Sequence, residues 1–503
     1  MADSVIGLDI GTSMTKAAVF DPRGRELAVA SSRTEVSRPQ PGWSEVDPEA
    51  VWQAVCATCK AAVAKSGVKP NDIAAVGVTG VMVGAWLVDA TGVAVRPAVL
   101  WDDGRTRDWL ERTEATWPNF LSEVFDRSGS VMQLGCTLPV MAWLAEQEPQ
   151  SMAHTAAVLT AKDFVRLRLT GAIGWEETEA AVAPGSAKAR DFDFSLLPMF
   201  GLDQYRNLLP RVHRSETIAG TVTAAAASLT GLPEGTPVAF GAGDVPASVI
   251  GAGAGTPGLA CTVLGTTCLN GLVVDKPLFE PRDLGLLFTL PGRSWMKTMV
   301  NAAGTTNIDW CLRSLCPDLA ALTESYDALA SCAEAGGVGA GGVVYVPYLS
   351  ASGIIAPRIE SGARAGFFGC NPSHRREHLV RAIYEGVAFA IRECYAATGR
   401  SVDVVRLVGG GARSRFWAQM IADIVGVPVE IPVGVEFGAK GAAMIASVAI
   451  HQFSSIAEAC RESFVLDWRY EPNGALRDDY NTAYRRYRAA SAASLDLIAP
   501  AYR

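Results

Sequence analysis

With 503 residues the chain exceeds what one hydrophobic core supports, so two large domains are expected. Its 44 Lys and Arg against 52 Asp and Glu leave a net charge of −8 with no basic patch, which excludes nucleic acid as a partner. An anionic ligand must then be gripped by local backbone donors and a metal, not by a general positive field.

No basic stretch followed by an apolar run opens the chain, so no signal peptide is expected. Eleven scattered cysteines without a pairing framework indicate a reducing, cytoplasmic setting. Cys56 and Cys59, the one close pair, sit three apart in a helical pattern and read as small core residues.

Residues 4–10, 15–20 and 27–34 read as a strand meander, with Asp21-Pro22-Arg23-Gly24 as a turn. A helix is expected from Pro48 to Ser66, capped by Asp47, then a buried strand over Ile73 to Val78. Trp86-Leu87-Val88 and Val93-Ala94-Val95 flank a turn, and Pro139 to Glu146 and Ala161 to Thr170 are helical stretches. A buried strand at Pro237 to Phe240 ends in Gly241-Ala242-Gly243-Asp244, ahead of a helix of small residues from Pro246 to Gly253. The uncharged run Val245 to Val274 carries six glycines and two prolines; a buried crevice floor explains it better than a membrane span.

The domain change is placed at 254/255, after which the scheme repeats. A hairpin spans 260–274, with helices at Thr306 to Ser314 and Arg375 to Thr398. A strand at Val404 to Val408 precedes a helix at Phe416 to Val425, and Asp478 to Leu497 reads as a charged, peripheral helix. This alternation is α/β.

Two segments share one design. Val5-Ile6-Gly7-Leu8-Asp9-Ile10-Gly11-Thr12-Ser13 and Cys261-Thr262-Val263-Leu264-Gly265-Thr266-Thr267 are each an apolar strand, a Gly-Thr turn and a second strand leading away. Such a turn aims successive N–H groups and a hydroxyl at one point, which suits a phosphate oxygen. Asp9, directly ahead of the first turn, faces a polyphosphate only with a cation between, so it is a candidate Mg²⁺ residue; a turn-forming Asp is the alternative. Asp244 ends a buried strand behind three small residues that leave room for a ligand. It can serve as a general base toward a hydroxyl, as a helix N-cap, or as both. Gly409-Gly410-Gly411 lacks the dinucleotide and P-loop spacings but lets a flat ring approach backbone. Trp101-Asp102-Asp103-Gly104-Arg105 groups an aromatic face, two acceptors and a cation, which suits a polyol; a surface salt bridge is the competing reading. The five histidines form no metal pattern.

In sequence order, several motifs together resemble the FGGY carbohydrate kinases of the sugar-kinase, hsp70 and actin superfamily. They are Gly7 to Ser13, Pro41-Gly42-Trp43-Ser44-Glu45 with Asp47-Pro48, Leu100 to Arg105, Gly241 to Asp244, Leu264 to Thr267, Val346-Pro347-Tyr348-Leu349-Ser350, Arg381 to Val387, and Gly409 to Ser414. The resemblance implies two duplicated ribonuclease-H-like domains, 1–254 and 255–503, with a cleft between them. It also implies ATP and Mg²⁺ in that cleft, and phosphorylation of a sugar or polyol hydroxyl. Asp244 then matches the catalytic base and Asp9 the metal organiser. Thr12, Ser13 and Lys16 match the first phosphate loop, Gly265 and Thr266 the second, and Gly410, Gly411 and Ala412 the adenosine side. Met82, Val83, Trp101 and Asp103 fall on the acceptor side. A homodimer is a further family expectation.

The run resembles xylulose kinases most, yet their Gln-Met-His-Gly loop here reads Val81-Met82-Val83-Gly84, and Val140 stands where a Lys often follows the proline. Asn301 to Trp310 and Ala363 to Phe367 resemble erythritol kinases. A ketopentose such as xylulose is expected first and a four-carbon polyol second. The other class of answer is a non-catalytic nucleotide switch of the actin type, which would have no need for a base at 244.

Overall fold

The computed structural model describes residues 3–497. Apolar β-branched runs form the strands, and each lobe opens on an antiparallel hairpin. In the first, β1 (Ser4–Ile10) and β2 (Met14–Phe20) pair with Asp9 opposite Lys16, and β3 (Glu26–Arg33) continues the meander. The helix α1 (Pro48–Ser66) starts where Asp47 accepts the Glu49 N–H at 3.0 Å and stops at Gly67, φ 71°. Its end in a left-handed glycine is a common C-terminal cap. Next come β4 (Ile73–Gly80), α2 (Ala161–Thr170), β5 (Ile218–Thr221), β6 (Pro237–Ala239) and α3 (Asp244–Gly251). The sheet order is β5-β6-β4-β1-β2-β3, with the short strand Ala242–Gly243 alongside the end of β4.

The second lobe holds β7 (Leu259–Leu264), β8 (Cys268–Val274), β9 (Leu286–Thr289), β10 (Trp295–Asn301), α4 (Thr306–Ser314) and α5 (Arg376–Ala397). It continues with β11 (Val404–Val408), α6 (Arg415–Val425), β12 (Val429–Pro432), α7 (Phe437–Ala449), β13 (Leu466–Tyr470) and α8 (Arg477–Leu497). Its sheet runs β9-β10-β8-β7-β11-β12-β13. β7 and β11 are parallel at the centre, as β1 and β4 are in the first lobe. Among the described residues, no helix is long and apolar enough to cross a membrane.

Three elements depart from the sequence reading. Trp86–Val88 pairs with Ala157–Leu159, and Val93-Ala94-Val95 keeps only a bridge from Ala94 to Val88. The Asp89 side chain holds the intervening turn by accepting the Thr91 and Val93 N–H groups. Helix α8 is not peripheral: Tyr480, Ala483 and Tyr487 are buried in the second core, and the Tyr480 hydroxyl accepts from Arg381 at 2.7 Å.

The third is α7, whose two internal glycines, each costing about 1 kcal/mol of helix propensity, hide it from propensity reasoning. Gly441 and two glycines of the first sheet are packing devices. A Cβ on Gly441 would lie 1.8 Å from the Ala247 carbonyl oxygen; one on Gly7 would lie 1.9 Å from that of Ala439, and one on Gly77 1.9 Å from that of Ala442. Helix and sheet therefore meet backbone to backbone. α7 belongs to the second half of the chain but roofs β1 and β4 of the first lobe, packing Ala439, Ala443 and Ala446 against Val5, Ala18 and Ala75.

Candidate active site

The parallel register of β1 and β4 sets the site. It aligns Asp9 with Thr79 and Ile10 with Gly80, while Ala242 and Gly243 lie beside Thr79 and Gly80. The strand ends thus deliver Asp9, the loop Val81 to Gly84 and Asp244 to one place. Beneath them, the Gly243 N–H donates to the Thr178 hydroxyl at 2.9 Å, and that hydroxyl donates to Glu176 at 2.6 Å. Glu176 in turn faces Lys162 within a fully buried charge cluster that includes Asp163 and Arg166. Nothing in the sequence reading singled out this support.

Asp244 occupies the first turn of α3. Gly243 is the N-cap and makes no side-chain cap bond, and the Asp244 carboxylate accepts the Val245 N–H at 2.8 Å. Burial, with the Asp9 charge added, pushes its pKa up to about 7. Burial likewise raises Asp9 to about 6, with Lys16 opposing and Glu436 adding to the rise. Asp9 lies against the first turn of α7, where a Cβ on Gly438 would sit 2.5 Å from its Oδ2. Two partly buried carboxylates, with Asp9 raising Asp244 and Lys16 as the cation acting on Asp9, form a setting a further cation would stabilise. Among the described residues, no cluster of three metal-ligating side chains exists.

The small residues before Asp244 serve packing rather than ligand access. A Cβ on Gly241 would lie 1.8 Å from the Val78 carbonyl oxygen, and Gly243 is covered by the Met82 side chain. Met82, Val83, Trp101 and Asp244 line a cavity of about 360 Å³. The second lobe closes it with Thr267 and Leu269 of the second hairpin and with Leu286, Phe288 and Val300, which no sequence motif had marked. Val83 holds φ 55°, and its N–H donates to the buried Glu179 carboxylate at 2.9 Å.

Asp103 departs from its expected place on the acceptor side. It is buried, accepting the Ser44 N–H at 2.6 Å through Oδ2 and the Arg105 guanidinium at 2.9 Å through both oxygens. Arg105 also reaches Glu45 at 2.7 Å and lies over the Trp43 ring at 3.9 Å. The Trp43-Ser44-Glu45 and Asp103-Gly104-Arg105 segments are thus one structural lock beside the cavity. Trp101 remains half-exposed, its Nε1 donating to the Thr12 hydroxyl at 3.0 Å. It ties the acceptor wall to the first Gly-Thr turn.

That turn keeps Ser13 exposed, while Lys16 on β2 is engaged by Glu436 at 2.7 Å. In the second turn, the Gly265 and Thr266 carbonyls accept the Thr305 and Gly304 N–H groups, each at 2.7 Å, and this anchors the loop to the start of α4. Lys16, Gly410, Ala412 and Glu436 share a groove of about 760 Å³. Gly409 (φ 92°) and Gly411 pack on Leu264, whereas a Cβ on Gly410 would meet open space.

With that geometry in view, comparison with known proteins is decisive. The N-terminal domain of the FGGY family of carbohydrate kinases matches residues 4–251, and its C-terminal domain matches residues 260–450. The chain belongs to the FGGY family of carbohydrate kinases. Its fold is the two-domain sugar-kinase fold, and members of the family are ATP-using sugar phosphotransferases. The chain is 33% identical to the xylulose kinase of Escherichia coli (strain K12), over 90% of this chain and 91% of that one. It is 31% identical to the erythritol kinase of Brucella abortus (strain 2308), covering 99% and 98%. The solved xylulose kinase of Rhodospirillum rubrum superposes with a TM-score of 0.88 at 27% identity, covering 99% of each chain.

Proposed function

We propose that this FGGY kinase transfers the γ-phosphoryl group of ATP to a hydroxyl of a small ketose, xylulose first, with Asp244 as general base. A short polyol such as erythritol is the second reading, favoured by the near-equal similarity to an erythritol kinase. The observation that carries the proposal is the position of Asp244. It lies in the wall of a cavity bounded by both lobes, at a strand end shared with the first Gly-Thr turn. A carboxylate raised to about 7 is matched to accepting an alcohol proton near neutral pH.

Asp9 fits Mg²⁺ held through the phosphates, and the metal would supply charge neutralisation on the polyphosphate. Thr12, Ser13 and Lys16, with Gly265 and Thr266, would hold the phosphates, and Gly410, Gly411 and Ala412 the adenosine side. Closure of the lobes would exclude water as a competing acceptor. An ADP-release screen over pentuloses, tetritols and glycerol tests this reading with the wild type and Asp244→Ala. Acceptor-stimulated turnover lost in the variant supports it; wild-type turnover in Asp244→Ala removes the base assignment.

A further inference from the structure

Resting on that kinase reading, the cavity wall carries information about the acceptor itself. Most of its side chains are apolar, with Val83, Met132 and Val182 from the first lobe facing Leu286, Phe288 and Val300 from the second. Several of its polar groups are already committed. The Ser130 hydroxyl accepts the Leu287 N–H at 2.8 Å and donates to the Leu287 carbonyl at 3.4 Å. The Ser128 hydroxyl bonds the Ser130 backbone through both its N–H and its carbonyl, and the Trp101 N–H goes to Thr12. The strong side-chain groups left for a ligand are the Asp244 carboxylate, the Gln133 amide and the Thr267 hydroxyl.

Val83 adds a second, independent observation. A β-branched residue at φ 55° is a backbone outlier, and Glu179 fixes it there by accepting its N–H. The other oxygen of that glutamate is buried without a hydrogen-bond partner. The backbone at residue 83 is thus pinned in a conformation that a β-branched residue rarely adopts, and the isopropyl group it carries lines the cavity.

We propose that, within the small ketoses and polyols and ahead of xylulose and erythritol themselves, the preferred acceptor is a deoxy or C-alkyl member, with hydroxyls gathered at the Asp244 end and a methyl or methylene flank against the Val83–Phe288 wall. A fully hydroxylated ketopentose would bury hydroxyls that find no partner on that wall, each at a loss of about tenfold or more in affinity. An apolar wall rejects an added hydroxyl by on the order of a hundredfold at most.

The test compares matched acceptors differing by one hydroxyl: D-xylulose with 1-deoxy-D-xylulose, L-xylulose with its 1-deoxy form, and erythritol with 1,2,3-butanetriol. kcat/KM is measured by ADP release, and acceptor binding by calorimetry with a non-hydrolysable ATP analogue. The expected result is a deoxy partner favoured by about 10- to 100-fold in at least one pair. That preference should shrink or invert in Val83→His and, independently, in Val182→Ser. Equal or better use of every hydroxylated partner overturns the proposal. Tighter binding of a deoxy partner without any turnover supports the proposal while removing the kinase reading. Absence of both binding and turnover for every compound overturns both.

Discussion

Lys16 Nζ and the Glu436 carboxylate meet at 2.7 Å across 420 positions of sequence, joining the strand after the first Gly-Thr turn to the start of α7. The cation expected to greet phosphate is held by a carboxylate of the second half of the chain. Glu436→Gln should therefore free it and tighten ATP binding by about two- to fivefold, the range for a half-exposed ion pair. Lys16→Met should weaken binding instead. Calorimetric titration with ATP checks both; weaker binding in Glu436→Gln would show the glutamate acting for the nucleotide, not against it.

Asp244→Asn should lower kcat by about 10²- to 10⁴-fold, the usual contribution of a positioned base. The same variant should be more stable than wild type at pH 8. The folded carboxyl titrates at about 7 against an ordinary 3.8, so its stabilising contribution is full below the ordinary value and is lost as pH rises through 7. The Asn variant should gain about 1 to 3 kcal/mol at pH 8 and nothing near pH 4, read from urea midpoints at the two pH values.

The acid limb of kcat/KM for ATP should fall below about pH 7 and steepen toward pH 6 as Asp244 and then Asp9 take up protons. Because Glu436 raises Asp9, Glu436→Gln should move the lower part of that limb to more acid pH. A profile unchanged in the variant would place the titrating group elsewhere.

Asp103→Asn separates structure from binding at the Trp101 to Arg105 loop. Breaking a buried, doubly bonded ion pair should cost about 3 kcal/mol of stability, seen as a lowered unfolding midpoint. KM for the acceptor should stay within about twofold, since the carboxylate faces Arg105 rather than the cavity.

Two glycines should answer oppositely to alanine. Gly441→Ala drives a methyl to 1.8 Å from a backbone oxygen and should destabilise by more than about 3 kcal/mol or prevent folding. Gly410→Ala meets open space and should melt like wild type while raising KM for ATP. Thermal melts and ATP kinetics on the two variants check this contrast.

What the sequence made legible was local. The β-branched strands β1, β4, β7 and β11, and the four-residue spacing of α5 through Ile383, Val387 and Ile391, are patterns within one segment. The relationships that complete the site were not legible, because their cause is tertiary. α7 reads as a poor helix until Gly441 meets the backbone of α3 and its own backbone meets Gly7 and Gly77 of the first sheet. Asp102 and Asp103 look alike in the chain, and only the folding-back of Arg105 onto Asp103 separates them. The cavity roof from β9 and β10 carries no motif, since any apolar strand would read the same. Glu436 has neither spacing nor composition to mark it.

The crossing of α7 over the first sheet also has a consequence for biosynthesis. Residues 437–449 leave the ribosome only after nearly nine-tenths of the polypeptide has been made, so the glycine-lined face of β1 and β4 waits uncovered through most of translation. The N-terminal half therefore emerges first yet is sealed last, and a message truncated before α7 would yield a product with that face bare.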